Sequence, residues 1–575
     1  MIIGLDVGGT HTDVVLLGQN GIERQAKVPT DHSNLIECVW TGLEKVTAGV
    51  PSDVLERVVL STTLTTNAVA ENKLAPVGMI VSSGPGLDAE SFRTNPHYYV
   101  VSGSIDHRGR EIQPIEPMEI EAIGARFRKE GIRHVGVVGK FSVRNPKHEI
   151  QIQQILGDHF DYVVMGHRLS GNLNFPRRIA TAYLNAAVYP IHKRFFDAVR
   201  RSLEEHGLHI PLHILKADGG TMSLKASLEL PVQSILSGPA ASVMGSLPFV
   251  SADKDTLVLD IGGTTTDMAV LVGDAPLLSP QGAQLGRYRT LIRALNTSSI
   301  GLGGDSAVRV VNGALQIGPD REGPAMAYGG PCPTPTDALF VLGRDTQGDT
   351  AAARRGLERV ARELGLSVEE AAAKVFDLTC TKILDAAREM VEAVNTKPVY
   401  TVRELLEGYQ VQPKELLVLG GPAPFFASRM QELSPYEVRV VPQWHVANAV
   451  GAGLARTTCE VTLFVDTERG IASAPEEAFY QPVKRDFDKK KAVELALELL
   501  AEKALEEGAD PRDLEMEVLE EQQFNMVRGF YTTGKNFRVK VQVKPGLIGT
   551  YRSIIPKIDP TCEEEGRRAG SMDTV

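Results

Sequence analysis

Asp6-Val7-Gly8-Gly9-Thr10-His11-Thr12-Asp13-Val14-Val15-Leu16-Leu17 returns far along the chain as Asp260-Ile261-Gly262-Gly263-Thr264-Thr265-Thr266-Asp267-Met268-Ala269-Val270-Leu271, with seven of twelve positions identical at an offset of 254 residues. Solenoid periods are much shorter, so the repeat predicts a duplicated domain rather than an array. Each copy has the same grammar. Ile2 to Asp6 is a short apolar strand, Gly-Gly-Thr makes a tight turn, and Thr12 to Leu17 is a second strand. Gln19-Asn20-Gly21 closes it, and Asn-Gly is a hairpin signal. Ile22 to Val28 reads as a third strand. A helix follows, with Ser33 as its cap and Leu35, Ile36, Val39, Leu43 and Val46 on one face. Arg57 to Ser61 returns as a strand, giving the order β-β-β-α-β of a mixed α/β domain. Thr256 to Asp260, the Gly-Gly turn and Thr266 to Val272 repeat the opening in the second copy.

At 575 residues the chain is too long for one hydrophobic core. Its 43% apolar and 23% charged residues are those of an ordinary soluble protein. Sixty-one basic residues against 72 acidic ones give a net charge of −11, which argues against a nucleic-acid or anionic-membrane surface as the main partner. The start, Met1 to Asp6, has no basic n-region, and no run approaches 18 apolar residues. Five scattered cysteines without a C-x-x-C exclude a disulfide framework and a zinc ribbon. A reduced, cytoplasmic chain is expected.

The turns carry the chemistry. A strand in which a single residue separates Asp6 or Asp260 from Gly-Gly-Thr sets backbone N–H groups beside a carboxylate. Successive amides form an anion nest, and Thr10 or Thr264 adds a hydroxyl. A carboxylate next to phosphates requires a cation between them, and Mg²⁺ takes one or two carboxylates plus phosphate oxygens and water. Two such loops would clamp a triphosphate from both sides of a cleft. Leu416 to Leu419 is a strand running into Gly420-Gly421-Pro422-Ala423-Pro424, with a helix from Phe425 to Leu433; this turn admits either a flat adenine or plain packing.

Other segments read as scaffold. Ser367 with Glu370 forms a capping box for a helix whose stripe runs from Val368 to Val394 and places Cys380 in the core. Asp486 to Glu507 is a second amphipathic helix with Val493, Leu497, Leu500 and Ala504 inward, and Phe537 to Val543 alternates like a strand. The charged, small residues Glu563 to Val575 are expected to be disordered. Two small-residue stretches, Ser237 to Ser246 and Ala447 to Ala455, can cross as helices with backbones nearly touching, at a hinge or as tight packing. Gly529 to Lys535 mimics a P-loop, but Asn536 replaces Ser/Thr and a strand follows. His445 reads as a buried polar residue rather than a base.

The two Asp-Gly-Gly-Thr loops, the Gly-Gly turn and the small-residue helices resemble the actin, hexokinase and heat-shock chaperone ATPase superfamily. More narrowly, the chain resembles the hydantoinase/oxoprolinase family at its hydantoinase A subunit. Ser61-Thr62-Thr63-Leu64-Thr65-Thr66-Asn67-Ala68 is similar to its G-T-T-x-x-T-N-A, and Arg144-Asn145-Pro146-Lys147-His148-Glu149 to its R-N-P-x-H-E. Ala217-Asp218-Gly219-Gly220, Leu236-Ser237-Gly238-Pro239-Ala240 and Gly329 to Ala338 resemble its S-D-G-G, S-G-P-A and glycine-rich T-x-T-D-A segments, all in family order. Two segments depart: G-G-G-S becomes Gly303-Gly304-Asp305-Ser306, adding a negative charge, and G-G-A-G-P-x-H-A becomes Gly420 to Ala427, losing a histidine.

The resemblance implies two duplicated ribonuclease-H-like (actin-like ATPase) lobes around a nucleotide cleft, at 1–185 and 186–470, the second with a helical insertion. A small C-terminal α+β extension would follow at 471–575. It implies ATP and Mg²⁺ as cofactors, with Asp6 and Asp260 holding the hydrated metal. Gly8, Gly9, Thr10, Gly262, Gly263 and Thr264 would meet phosphate oxygens, and Gly303, Gly304, Gly420 and Gly421 would line the nucleoside end. Asp13, Thr63 and Asn67 are candidates near the γ-phosphate or substrate, against a hairpin brace for Asp13 and helix capping for Asn67. The implied reaction is ATP-dependent opening of a cyclic amide such as a hydantoin, 5-oxoproline or a lactam, in an oligomer with a hydantoinase B-like subunit. The alternatives are a ketone carboxylase subunit, a chaperone-like or activating ATPase, and a small-molecule kinase.

Overall fold

A computed structural model describes residues 1–31, 33–396, 410–549 and 554. Cys562 and the C-terminal tail from Glu563 lie outside the described residues. The opening folds as the repeat predicts. Strands β1 (Ile2–Val7), β2 (His11–Gly18) and β3 (Gly21–Pro29) form consecutive antiparallel hairpins, and β4 (Arg57–Thr62) runs parallel to β1 after helix α1 (Leu35–Thr47). Strands Leu212–Leu215 and Thr221–Ser223 complete a six-stranded sheet beyond β4. In the second copy, Asp255–Ile261 pairs antiparallel with Thr266–Val272 and parallel with Glu415–Leu419, which pairs parallel with Glu437–Val440. Both lobes therefore have a hairpin joined to two parallel strands at the same edge, the duplicated ribonuclease-H-like arrangement.

Several expectations shift in detail. The α1 cap is Asn34, whose side chain accepts from the Glu37 amide; Ser33 instead donates its amide and hydroxyl to Asp31. The expected division at 185/186 falls inside the 31-residue helix Phe175–Glu205, and strands Leu212–Leu215 and Thr221–Ser223 belong to the first sheet. That helix also supports a second, parallel sheet of four strands, ordered Tyr162–Met165, His134–Gly139, Val77–Ser82 and Tyr98–Val100. Glu460–Asp466 is the middle strand of a five-stranded antiparallel C-terminal sheet.

Helix Lys489–Glu506 covers that sheet. Its fully buried face is Ala492, Ala496, Leu500 and Ala504, with Val493 and Leu497 only half-buried. Alanines repeating every four residues let the helix lie close to the strands, which outweighs the larger side chains in setting its rotation. Helices Thr350–Leu364 and Val368–Asn395 follow one another in the second lobe, the latter with the Ser367/Glu370 capping box and a wholly buried Cys380. Gly529 sits at the tip of a long hairpin between Met516–Arg528 and Tyr531–Val543. No helix among the described residues is long and apolar enough to cross a membrane.

The two small-residue stretches are helices, Ser237–Ser246 and Ala447–Leu454, and they cross. A Cβ on Gly451 would stand 2.2 Å from the Gly245 amide nitrogen, one on Gly245 would stand 2.2 Å from the Ala447 carbonyl oxygen, and one on Gly4 of β1 would stand 2.0 Å from the Ala449 carbonyl oxygen. Only glycine permits this backbone contact. Half-buried Arg57, at the start of β4, donates to the carbonyls of Gly453 and Ala455 at 2.8 and 2.9 Å and so completes the carbonyl end of the second helix. The crossing thereby fastens the helix end to the first sheet.

Candidate active site

Asp6 lies directly opposite Asp13 across the β1–β2 hairpin, and Asp260 lies opposite Asp267 in the second copy. Asn448, on the Ala447–Leu454 helix, donates its Nδ2 to Asp6 Oδ2 at 3.3 Å and to Asp260 Oδ2 at 3.0 Å. One amide thus holds the acid-tipped strands of both lobes. Ser242, on the crossing helix, donates to Asp260 Oδ2 at 2.5 Å. Asp6 is 7% exposed, and its Oδ1 is buried without a hydrogen-bond partner. Burial, assisted by the charges of Asp13 and Asp260, pushes the Asp6 carboxyl up to about 7. Neither Asn448 nor Ser242 was a sequence candidate; Asn448 is the one polar side chain in Ala447-Asn448-Ala449-Val450-Gly451, and that was the available signal.

The two turns are alike. The Gly8 amide donates to His11 O at 3.0 Å and the Gly262 amide to Thr265 O at 2.9 Å, so both amides close their turns. Gly9 and Thr264 are the exposed tips, with Thr10 and Gly263 half-buried beside them. His11 of the first turn and Asp305 beside the second are close enough to act electrostatically on each other. The turns therefore face one another.

Gly303 and Gly304, expected at the nucleoside end, pack against the second turn. Gly304 donates its amide to Gly262 O at 2.9 Å, Asp305 donates its amide to Gly263 O at 2.7 Å, and a Cβ on Gly303 would meet Gly262 O at 2.4 Å. The pair is a backing strip for the second turn. The extra charge of Asp305 is met by Arg321 at 3.2 Å; burial still raises the Asp305 carboxyl above its ordinary range. Gly420, with φ +96°, lies against Asp260: a Cβ there would stand 2.6 Å from Asp260 Oδ1 and 2.3 Å from Ile261 O. Gly421 has open space around it.

The weaker candidates stand nearby with structural partners. Asp13 is paired with Lys27 across β2–β3 at 2.9 Å, and Lys27 also donates to the His445 carbonyl, which makes Asp13 a hairpin brace. His445 is half-buried rather than in the core, and its ring pKa is lowered by burial and by Lys27. Thr63 precedes helix Leu64–Ala70 and donates its amide to Val7 O at 3.4 Å, while Asn67 donates Nδ2 to the Thr63 hydroxyl at 3.3 Å. Glu149 is wholly buried: it accepts from the Gly139 and His167 amides and pairs with the His167 ring at 2.5 Å. Burial favours its neutral form, but the His167 hydrogen bond prevails and lowers its pKa.

Among the described residues no group of three or more His, Cys, Asp or Glu is placed to hold a metal. A cation here would rest on Asp6 and Asp260 with water and ligand oxygens, as magnesium does. The partnerless Asp6 Oδ1 fits that role.

The comparisons with known proteins agree with this architecture. The chain is 25% identical over 491 residues to the caprolactamase subunit alpha of Pseudomonas jessenii, covering 77% of this chain and 68% of that protein. It is 24% identical over 512 residues to the acetophenone carboxylase gamma subunit of Aromatoleum aromaticum, covering 79% and 67%. The nucleotide-free structure of acetone carboxylase superposes with a TM-score of 0.69 at 18% identity over 95% of this chain and 87% of that one, a likeness of fold. Residues 2–160 match the family model of the hydantoinase/oxoprolinase N-terminal region and residues 178–461 that of hydantoinase/oxoprolinase, so the chain belongs to the hydantoinase/oxoprolinase family.

Proposed function

We propose that the protein is an ATP-dependent hydrolase subunit that opens a cyclic amide of the hydantoin, 5-oxoproline or lactam type through a phosphorylated substrate. The observation that carries this reading is the Asn448 amide shared by Asp6 and Asp260, which brings one carboxylate from each lobe to a single point beside two facing glycine turns. The amide carbon is a poor electrophile. When the amide oxygen attacks the γ-phosphorus, the bond to the β,γ-bridging oxygen breaks and ADP leaves. Water then adds to the activated carbon, the C–N bond breaks with a proton to nitrogen, and phosphate is released. This is phosphoryl transfer, in which the protein positions the groups and neutralises charge.

Mg²⁺, when bound, supplies neutralisation of the phosphate oxygens. Asp6 and Asp260 would hold it through its waters, and Asn448 and Ser242 fix the orientation of both carboxylates. The tips at Gly9, Thr10, Gly263 and Thr264 are offered to phosphate oxygens, and Gly420 and Gly421 to the nucleoside. Thr63 and Asn67, at the mouth of the first turn, are proposed on the substrate side. Relatives named as subunits support assembly with a hydantoinase B-like partner, and the complex is proposed to be cytoplasmic.

Phosphate release from ATP is measured with hydantoin, 5-oxoproline and caprolactam, in wild type, Asp6→Ala and Asp260→Ala, with and without a hydantoinase B-type subunit. Stimulation by a cyclic amide, lost in both variants, is expected. Stimulation only by a ketone with bicarbonate would replace the hydrolase reading with a carboxylase one, and dependence on a protein client alone would favour an activating ATPase.

A further inference from the structure

A cavity of about 1290 Å³ opens between the start of helix Lys147–Leu156, the Ser279–Arg293 segment and the C-terminal sheet. It shares no residue with the turns around Asp6 and Asp260. In a chain of net charge −11, six arginines and two lysines line it against two carboxylates, Glu460 and Asp466. Lys147, Arg528 and Lys540 have acid partners at 2.5, 2.7 and 2.9 Å. Arg144 has none. Its guanidinium lies 4.0 Å from the Phe464 ring centroid, it makes no ion pair or hydrogen bond with any described residue, and its Nε is buried.

Arg538 stands over the same ring at 5.9 Å; it bonds Glu520 and Asn172 through its terminal nitrogens, yet its Nε is also buried without a partner. Arg293 has both terminal nitrogens buried without hydrogen bonds, and its acid neighbour, Asp218, is 3.6 Å away. Asp466, the carboxylate that acts on Arg144, is already engaged by the amides of Glu468 and Arg469 through Oδ1. Burial and the like charge of Arg538 push the Arg144 guanidinium down to about 10. Buried, unmatched guanidinium N–H groups are costly to leave unmade, and a planar carboxylate satisfies them best.

We propose that this cavity binds a small organic carboxylate, its head group on Arg144, Arg538 and Arg293 and its hydrocarbon body against Phe464. The charge balance favours a monoanion, because Arg144 makes no ion pair, the carboxylate that acts on it, Asp466, being held by backbone amides, while Arg538 has Glu520 and Arg293 has Asp218. The rim suits a hydrocarbon body: Leu173, Tyr480 and Phe524 expose 42%, 46% and 59% of their surface there. The volume exceeds the ~300–1,000 Å³ of ordinary small-molecule clefts, so a ligand of several carbons enters whole.

Calorimetric titration of the full chain with hexanoate, hexylamine and inorganic phosphate tests this. Saturable one-to-one hexanoate binding is expected, weakened at least about tenfold by Arg144→Gln, with no binding of hexylamine and no displacement by equimolar phosphate. Arg538→Gln is expected to weaken binding as well, and it carries the test if Arg144→Gln fails to fold. Asp6→Asn is expected to bind hexanoate like wild type, which separates this site from the nucleotide reading. Absent hexanoate saturation, unchanged affinity in the arginine variants, equal binding of hexylamine, or tighter binding of phosphate would each overturn it.

Discussion

Asp6 and Asp267 are both pushed up to about 7, burial being the larger cause and the charge of Asp260 a contributor in each. The lobes treat their cross-strand acids differently. Asp13 is met by Lys27, whereas Asp267 has the hydroxyl of Ser299. In the unfolded chain these carboxyls lose their protons near 3.8, while in the folded protein they keep them to about 7. The native state therefore binds more protons across that window, and stability falls as pH rises from about 4 through about 7. Asp267→Asn removes this penalty: at pH 8 the variant is expected to gain about 1–2 kcal/mol, less than the full shift because part of the side chain is exposed. At pH 4 it should melt with wild type, and an unchanged midpoint at pH 8 would count against the assignment. Asn448→Leu keeps the volume but leaves Asp6 and Asp260 without their shared donor. A loss of about 1–3 kcal/mol in nucleotide affinity, read by titration at pH 7.5, is expected; undiminished affinity would separate the amide from the site.

The hairpins were legible because strand period and the acid-tipped Gly-Gly turn agree locally in both copies, with an Asn-Gly closure in the first. The helix crossing was legible too, since glycine and alanine at three- and four-residue spacing leave no other use for the face. What joins Asp6 to Asp260 was not, because Asn448 is 442 residues from one partner and 188 from the other. Nothing local could signal that contact. The packing of Gly303 and Gly304 against the second turn was not legible either, because glycine turns look the same whether they face a ligand or another loop. The four-stranded sheet of the first lobe likewise depends on crossovers that carry no short-range signature. The crossing itself gives a sharp expectation. Gly451→Ala puts a Cβ 2.2 Å from the Gly245 nitrogen, so urea unfolding should show a loss of about 1–3 kcal/mol or more. Gly421→Ala, with open space around it, is expected to stay within about 0.5 kcal/mol. Equal stability of the two variants would mean that the helices do not touch at this point.

In the whole molecule the two lobes meet through the crossing helices, the Arg57 clasp, the Asn448 bridge and an apolar cluster drawn from both sheets. A ligand held by both turns adds a further tie between the lobes. Such a ligand stabilises the native state by mass action, about 2.7 kcal/mol at a hundred times its dissociation constant. The proposed function therefore predicts that magnesium with a non-hydrolysable ATP analogue raises the melting of both lobes together, as one sharper transition. Because Asp6 and Asp260 sit on different lobes but share one donor, Asp6→Asn is expected to abolish the shift for both lobes and not only for its own. Calorimetric scans with and without the analogue read this directly. Two separate transitions, of which the analogue moves only that of the Asp260 lobe in the Asp6→Asn variant, would mean that each lobe binds alone and that the cleft is not shared.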